Sequence, residues 1–224
     1  MNIKISGSGQ ISGGEYDGIR TNGSAKLIGD IKCKTYFSSG TANGTSIECS
    51  ESFESSGSCC FSGSVKAIRI KTYGSFSADG SIEAGEVLAN GRFNAKGDVY
   101  AKSITACGAF SSQGLVSAEN INIAMTSRAS IGSVKGDSVS IFPKRQIIRC
   151  VLLFIPRLFS KALRQKAYIS AEIEGGNIIL TDTNASCVRG KSVTIGKGCK
   201  IDVVRYSDSL SVSKKAKIGT IEKL

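Results

Sequence analysis

Residues 74–90 read GSFSADGSIEAGEVLAN, residues 91–107 GRFNAKGDVYAKSITAC and residues 108–124 GAFSSQGLVSAENINIA, three blocks of 17 that each open on glycine. Phe76, Ala78, Ile82, Ala84, Val87 and Ala89 of the first become Phe93, Ala95, Val99, Ala101, Ile104 and Ala106 of the second. They become Phe110, Ser112, Val116, Ala118, Ile121 and Ile123 of the third. Within each pair the residues are two apart, the spacing that puts both side chains on one face of a strand. Successive pairs start 6, 5 and 6 residues apart, so one coil has three short strands and three corners. Stacking such coils sets Phe on Phe, Ala on Ala and Ile on Val, each inner side chain covered from above and below. The expected fold is all-β, a three-sided parallel β-helix (β-solenoid) with 17-residue coils.

The glycine phase extends well beyond this stretch. Gly23, Gly40, Gly57, Gly74, Gly91 and Gly108 are 17 apart, and Gly29, Gly63, Gly80, Gly97 and Gly114 mark a second corner. A flexible Gly/Ser linker would not hold Phe, Val, Ile and Ala in phase with its glycines, so low complexity is excluded. The coil at Gly40 puts Glu48 where a hydrophobe belongs, with Ile47 beside it, which predicts a local slip or bulge.

After residue 124 the coil wording changes. Ala129, Ile131, Val134, Val139 and Ile141 find counterparts in Ala167, Ile169, Ile173, Ile178 and Leu180. Cys199, Ile201, Val204, Leu210 and Val212 repeat the pattern, and Ala216, Ile218 and Ile221 close it. Between these stretches lie both prolines of the chain, Pro143 and Pro156. Proline is excluded from interior ladders, so residues 142–166 are expected to project as an insertion between solenoid segments 1–141 and 167–224 of one continuous domain.

Composition narrows the function. The 224 residues include 26 Gly, 2 Pro, no Trp and no His, and the 41% hydrophobic fraction must build its core mainly from Ala, Val, Ile and Cys. Lack of His removes the commonest general base, every Ser-His-Asp and Cys-His arrangement and most zinc and non-haem iron sites. Hexapeptide-repeat acyltransferases, also three-sided solenoids, use a His base that this chain cannot supply. Glycosidic chemistry needs paired carboxylates in a cleft. The one dense acidic group, Glu48, Glu51 and Glu54, reads as a solvated outer face. No catalytic, cofactor-binding or metal site is expected. The 8 Cys form no Cys-x-x-Cys pair and the opening MNIKISGSGQ lacks a secretory apolar run, so a cytoplasmic location with free thiols is expected. Cys33, Cys59 and Cys199 fall on inward phases, whereas Cys60, Cys107 and Cys150 do not.

The wording ASCVRGKSVTIGKGCKIDVVRYSDSLSVSKKAKIGTIEKL at 185–224, with ASIGSVKGDSVSI at 129–141, resembles the bactofilins, the polymer-forming cytoskeletal proteins of bacteria. That resemblance implies a right-handed β-helix assembling end to end into nucleotide-independent filaments, often at the membrane, in the service of cell shape or envelope organisation. Other filament or envelope-synthesis proteins would be partners. A different class of reading is a monomeric adaptor at the membrane surface.

Two sets of residues carry the functional expectation. Ile3 and Ile5 begin an alternating strand at one end and Ile218 and Ile221 finish one at the other, the edges through which copies of the chain would join. The second set lies in the insertion. The chain has 29 basic and 18 acidic residues, and residues 143–166 hold seven of the basic and no acid, leaving 22 against 18 elsewhere. On a helical wheel Val151, Leu152, Ile155, Leu158, Phe159 and Leu163 gather on one side, with Arg149, Arg157, Lys161 and Arg164 on the other. A basic amphipathic helix of this kind suits the surface of an anionic membrane. Its longest uncharged apolar run, 150–156, is far below the ~20 residues that span a bilayer. Specific nucleic-acid binding is not expected, because the coils are nearly neutral.

Overall fold

The computed structural model describes residues 1–144 and 166–224. Thirteen strands are present among them: β1 (Asn2–Ser38), β2 (Thr41–Gly44), β3 (Ser46–Ser55), β4 (Ser58–Phe61), β5 (Val65–Thr72), β6 (Ser75–Ala78), β7 (Ile82–Ala95), β8 (Val99–Met125), β9 (Ala129–Pro143), β10 (Ala167–Leu180), β11 (Thr183–Ile195), β12 (Lys200–Val212) and β13 (Lys217–Lys223). Every pairing is parallel and joins one coil to the next, giving a β-solenoid of about 11 turns. The expected repeat is present in register: Ile82↔Val99, Val87↔Ile104 and Phe93↔Phe110, all 17 apart. β1 and β8 run through corners without a break because the corner residues stay extended and keep their ladder bonds.

Glycine allows that at one corner. A Cβ built on Gly40, Gly57, Gly74 or Gly108 would fall within 3.0 Å of the carbonyl oxygen of the glycine one coil earlier, a distance that real Cβ atoms do not show. The column begins one coil sooner than the 17-residue phase reveals. Gly23 makes the same close approach to Gly7, 16 residues back. It ends at Met125, whose position in the ladder follows from the Thr126 N–H donating to Gly108 O as Arg92 donates to Gly74 O. Met125 is fully buried.

The slip expected near Glu48 is real. Ile31↔Ile47 and Cys33↔Cys49 are 16 apart and Ile47↔Val65 is 18 apart, while Tyr36↔Phe53 and Phe53↔Ile70 keep 17. The third coil is one residue short before Ile47, and bulges between Cys33 and Thr35 and between Cys49 and Ser52 restore the phase. Ile47 and Cys49 therefore point inward and Glu48 outward.

Aromatic residues change faces partway along the core. Tyr36 stacks on Phe53 at 5.0 Å from one wall, and Phe76, Phe93 and Phe110 stack at 5.1 Å intervals on another. Phe53 meets Phe61 and Phe76 edge-on at 5.6 Å, so the aromatic volume passes from wall to wall without a gap. Cys33, Cys49, Cys59 and Cys199 are buried in the same interior, with Cys33 and Cys49 Sγ atoms 3.5 Å apart. Burial pushes the Cys59 and Cys199 thiols above their ordinary pKa. Cys60 is exposed and Cys107 half-buried, as their phases predict, while Cys150 lies outside the described residues.

The insertion is narrower than its expected bounds. Phe142 and Pro143 belong to β9, Pro143 standing in register with Met125 at the strand's end, where its missing N–H breaks no interior ladder. The wording of the C-terminal coils also skips one: β11, with Val188, Val193 and Ile195 inward, stands between β10 and β12.

Two outcomes follow from this packing. Gly57→Ala forces neighbouring coils apart and is expected to destabilise by about 2–3 kcal/mol, lowering Tm by roughly 5–10 °C. Ser75→Ala, on a half-exposed site nearby, should stay within about 0.5 kcal/mol, and equal melting of the two would mean the column is not a close approach. In native protein Cys60 should react quickly with a thiol reagent and Cys33, Cys49, Cys59 and Cys199 slowly, all becoming reactive in denaturant. Fast native labelling of the four, or stoichiometric zinc in purified protein, would contradict their role as core filler.

Candidate interaction surfaces

The four isoleucines expected at the ends occupy the first and last coils. Ile3 and Ile5 are half-buried and pack on the core. Beside them Asp17 accepts a hydrogen bond from Lys34 Nζ at 2.7 Å and also bonds the Met1 amine, and these two cations hold its carboxyl down to about 2. At the opposite end β13 pairs with β12 through Ile201↔Ile218 and Val204↔Ile221. Its outer edge meets no strand among the described residues. The inward columns reach this end intact but are uncovered there: Val188 and Val204 are 0% exposed, while Ile221, next in the same column, is 51% exposed. Ile195 is buried and Val212, stacked on it, is 41% exposed. Ile218 is half-buried.

Arg149, Val151, Leu152, Ile155, Arg157, Leu158, Phe159, Lys161, Leu163 and Arg164 lie outside the described residues. The places where that segment leaves and rejoins the solenoid are described. Lys144 N–H donates to Met125 O at 2.7 Å, and Ala129 N–H donates to Lys166 O at 3.3 Å. Ile141 and Ala167 stand in the columns of Ala106 and Phe110. The earlier pair is 4 positions apart and the later pair 26, so the added chain is spliced into the glycine corner. β9 and β10 pair across the splice, Ala129↔Ala167 through Ile141↔Leu180, and the stack continues.

The remaining chemical candidates are accounted for by the outer surface. Glu48 lies between Lys32 and Lys66 in the ladder, and Glu54 bonds Lys71 at 3.3 Å. These carboxylates are separated around one coil, each faced by a cation on the next, rather than facing one another across a cleft. A groove of about 480 Å³ beside the first coils is lined by Glu15, Asp17, Lys32, Cys33, Lys34, Glu48 and Ser50, where the Cys33 thiol lies against Cys49 Sγ and Asp17 is engaged by Lys34. No group of three or more potential metal ligands occurs among the described residues. Among them, no helix is long and apolar enough to cross a membrane.

No protein-family model matches the chain, and no solved structure matches it. A curated relative, the "Uncharacterized protein YhbE" of Bacillus subtilis (strain 168), is 41% identical over 63 residues, 28% of this chain. The chain spans only 27% of the length of that relative.

Proposed function

We propose that this chain is a non-enzymatic scaffold protein that assembles end to end into filaments without nucleotide, through its terminal coils. The observation that carries this reading is the way the inward columns run out to the last coil and stand uncovered at Val212 and Ile221. A strand edge offering free N–H and C=O groups beside unburied aliphatics is a template for another strand. A coil of the same kind from a second copy would continue the strand spacing of the stack. Repetition of such a contact in one direction gives an open fibre. The resemblance of residues 185–224 to bactofilins supports the same reading and suggests a cytoplasmic filament serving cell shape or envelope organisation.

The basic amphipathic segment within residues 142–166 is assigned in this proposal to the inner face of the membrane. Near an anionic surface each basic residue contributes roughly 1 kcal/mol, and a filament multiplies weak sites by avidity. The aliphatic face adds to that by burial in the interface.

Electron microscopy of the purified chain tests the first part. Ile5→Lys or Ile218→Lys should shorten fibres severalfold while the β circular dichroism persists; unchanged fibre length in both variants, or isolated short rods from the wild type, would overturn it. Flotation with anionic vesicles tests the second. Deleting residues 145–165, or combining Leu152→Glu with Phe159→Glu, should weaken partitioning about a hundredfold while fibres remain. Variants that float as well as the wild type would make the segment a cap on the solenoid.

A further inference from the structure

An in-register parallel stack brings every outward side chain face to face with its equivalent one coil away. Like charges so placed repel, and most of this solenoid avoids that by alternating sign. Lys32, Glu48, Lys66 and Glu83 form one column, and Asp17–Lys34, Arg69–Glu86 and Asp79–Lys96 pair across single steps. Arg205 stands over Arg189, but Glu174 and Glu222 flank that pair in the same column. The glycine corner of the last coils stacks like charges without such acids.

There the pairings Ala129↔Ala167, Ala167↔Thr183, Asn184↔Lys200 and Lys200↔Lys217 fix the columns. One runs Arg128, Lys166, Asp182, Gly198 and Lys215. Lys197 and Lys214 flank it on one side, and Ser130, Tyr168, Asn184, Lys200 and Lys217 on the other. Seven cations thus share one corner over five coils, with Lys217 directly on Lys200. Asp182 is the only acid in these columns, and it is 8% exposed, its Oδ1 without a partner and turned against Gly198. Asp202 lies two residues beyond Lys200 along β12, exposed and outside these columns. None of the seven makes an ion pair among the described residues, and residues 145–165 contain no acid that could supply one. The same corner is nearly neutral earlier. Arg128's column begins Ser24, Thr41, Ser58, Ser75, Arg92, Ala109, and Ser130's column begins Lys26, Asn43, Cys60, Ser77, Asn94, Ser111.

We propose that this corner is a docking ridge for the anionic surface of a lipid bilayer. Five coils at strand spacing make a straight row of about 19 Å, presenting charge on a convex edge. A convex edge fits a flat surface and offers no groove in which to track a nucleic-acid backbone. Phe142 is 36% and Tyr168 40% exposed at this corner, Tyr168 with the Arg128 guanidinium 5.3 Å from its ring centroid. Aromatic rings beside cations suit the headgroup layer. The inference deepens the membrane reading above, but its residues lie outside the stretch 145–165, which Phe142, in β9, and Lys166 border.

The full-length chain is mixed with phosphatidylcholine vesicles with and without phosphatidylserine, in low and high salt. The ridge variant replaces Arg128, Lys166, Lys197 and Lys200 with Gln, leaving the last coil intact. The control replaces Lys4, Lys32, Lys102 and Lys191 with Gln, an equal loss of charge at exposed sites elsewhere. At roughly fivefold per cation, partitioning onto the anionic vesicles should fall a hundredfold or more for the ridge variant, and severalfold at most for the control. Salt should abolish most of the difference, and both variants should keep the wild-type circular dichroism and melting. Equal binding by the two variants would overturn the ridge, as would equal binding of the wild type to neutral vesicles or stronger binding to duplex DNA. A chain lacking 145–165 that still binds in a ridge-dependent way would remove the inserted segment's role and leave the ridge standing. Loss of binding on that deletion, with the ridge variant binding like the control, would do the reverse.

Discussion

Every part of this molecule answers to one constraint: each coil lies one strand spacing, about 4.8 Å, above an almost identical coil. No side chain can be chosen without regard to its equivalents above and below. At the glycine corner the constraint falls on the backbone, since the carbonyl of one coil occupies the place where a Cβ of the next would stand. In the interior it falls on volume. The aromatic ring enters from Tyr36 and Phe53 on one wall and then from Phe76, Phe93 and Phe110 on another, with small residues such as Ala42 and Cys59 in the places they leave. The cross-section has room for about one ring per coil, and either wall can supply it.

That is why some coils could be read from sequence and others only partly. Between Gly74 and Ile123 backbone and volume repeat together at 17, so phase, inward residues and corner glycines all fall out of simple counting. In the coil at Gly40 a deleted residue and a compensating bulge shift Ile47 and Cys49 without disturbing Phe53, and a fixed period can mark the slip but not show where it is repaired. Gly7 was hidden by a single missing residue. Beyond Met125 the glycine column ends and the steps between coils vary from 15 to 19 residues, apart from the coil that holds the insertion, so a fixed period does not reach β11 although its inward residues are ordinary. The places of Ile3, Ile5, Ile218 and Ile221 in the first and last coils are legible because these residues follow the alternation, while their part in joining copies belongs to the proposal. The basic corner was not, since Arg128, Lys166, Lys200 and Lys217 are neighbours only once the unequal coils have been aligned.

On the outside the same stacking constrains charge. Exposed ion pairs such as Lys66–Glu83, at 3.2 Å, add little stability one by one. Their greater effect is to remove repulsion that would recur at every step of an in-register column. A lysine over a lysine at Lys200 and Lys217 therefore keeps an unfavourable contact that one substitution by Glu would relieve. In a fold where the remedy is so simple and is used so widely elsewhere, an unrelieved column points to a partner that supplies the opposite charge.

The two proposed contacts use different directions of the solenoid. Strand addition acts along the axis and consumes only the first and last coils, while a corner ridge acts across the axis and recurs in every subunit of a fibre. The two sites meet only at the last coil, where Lys217 begins β13, Lys214 and Lys215 precede it, and all three would come close to an added coil. The first coil of an added copy would bring Ser8 and Gln10 to this corner and no further cation, because those residues stand in the columns of Ser24 and Lys26. End-to-end growth would therefore meet no new repulsion there, and each added subunit would bring a ridge of its own to an anionic surface.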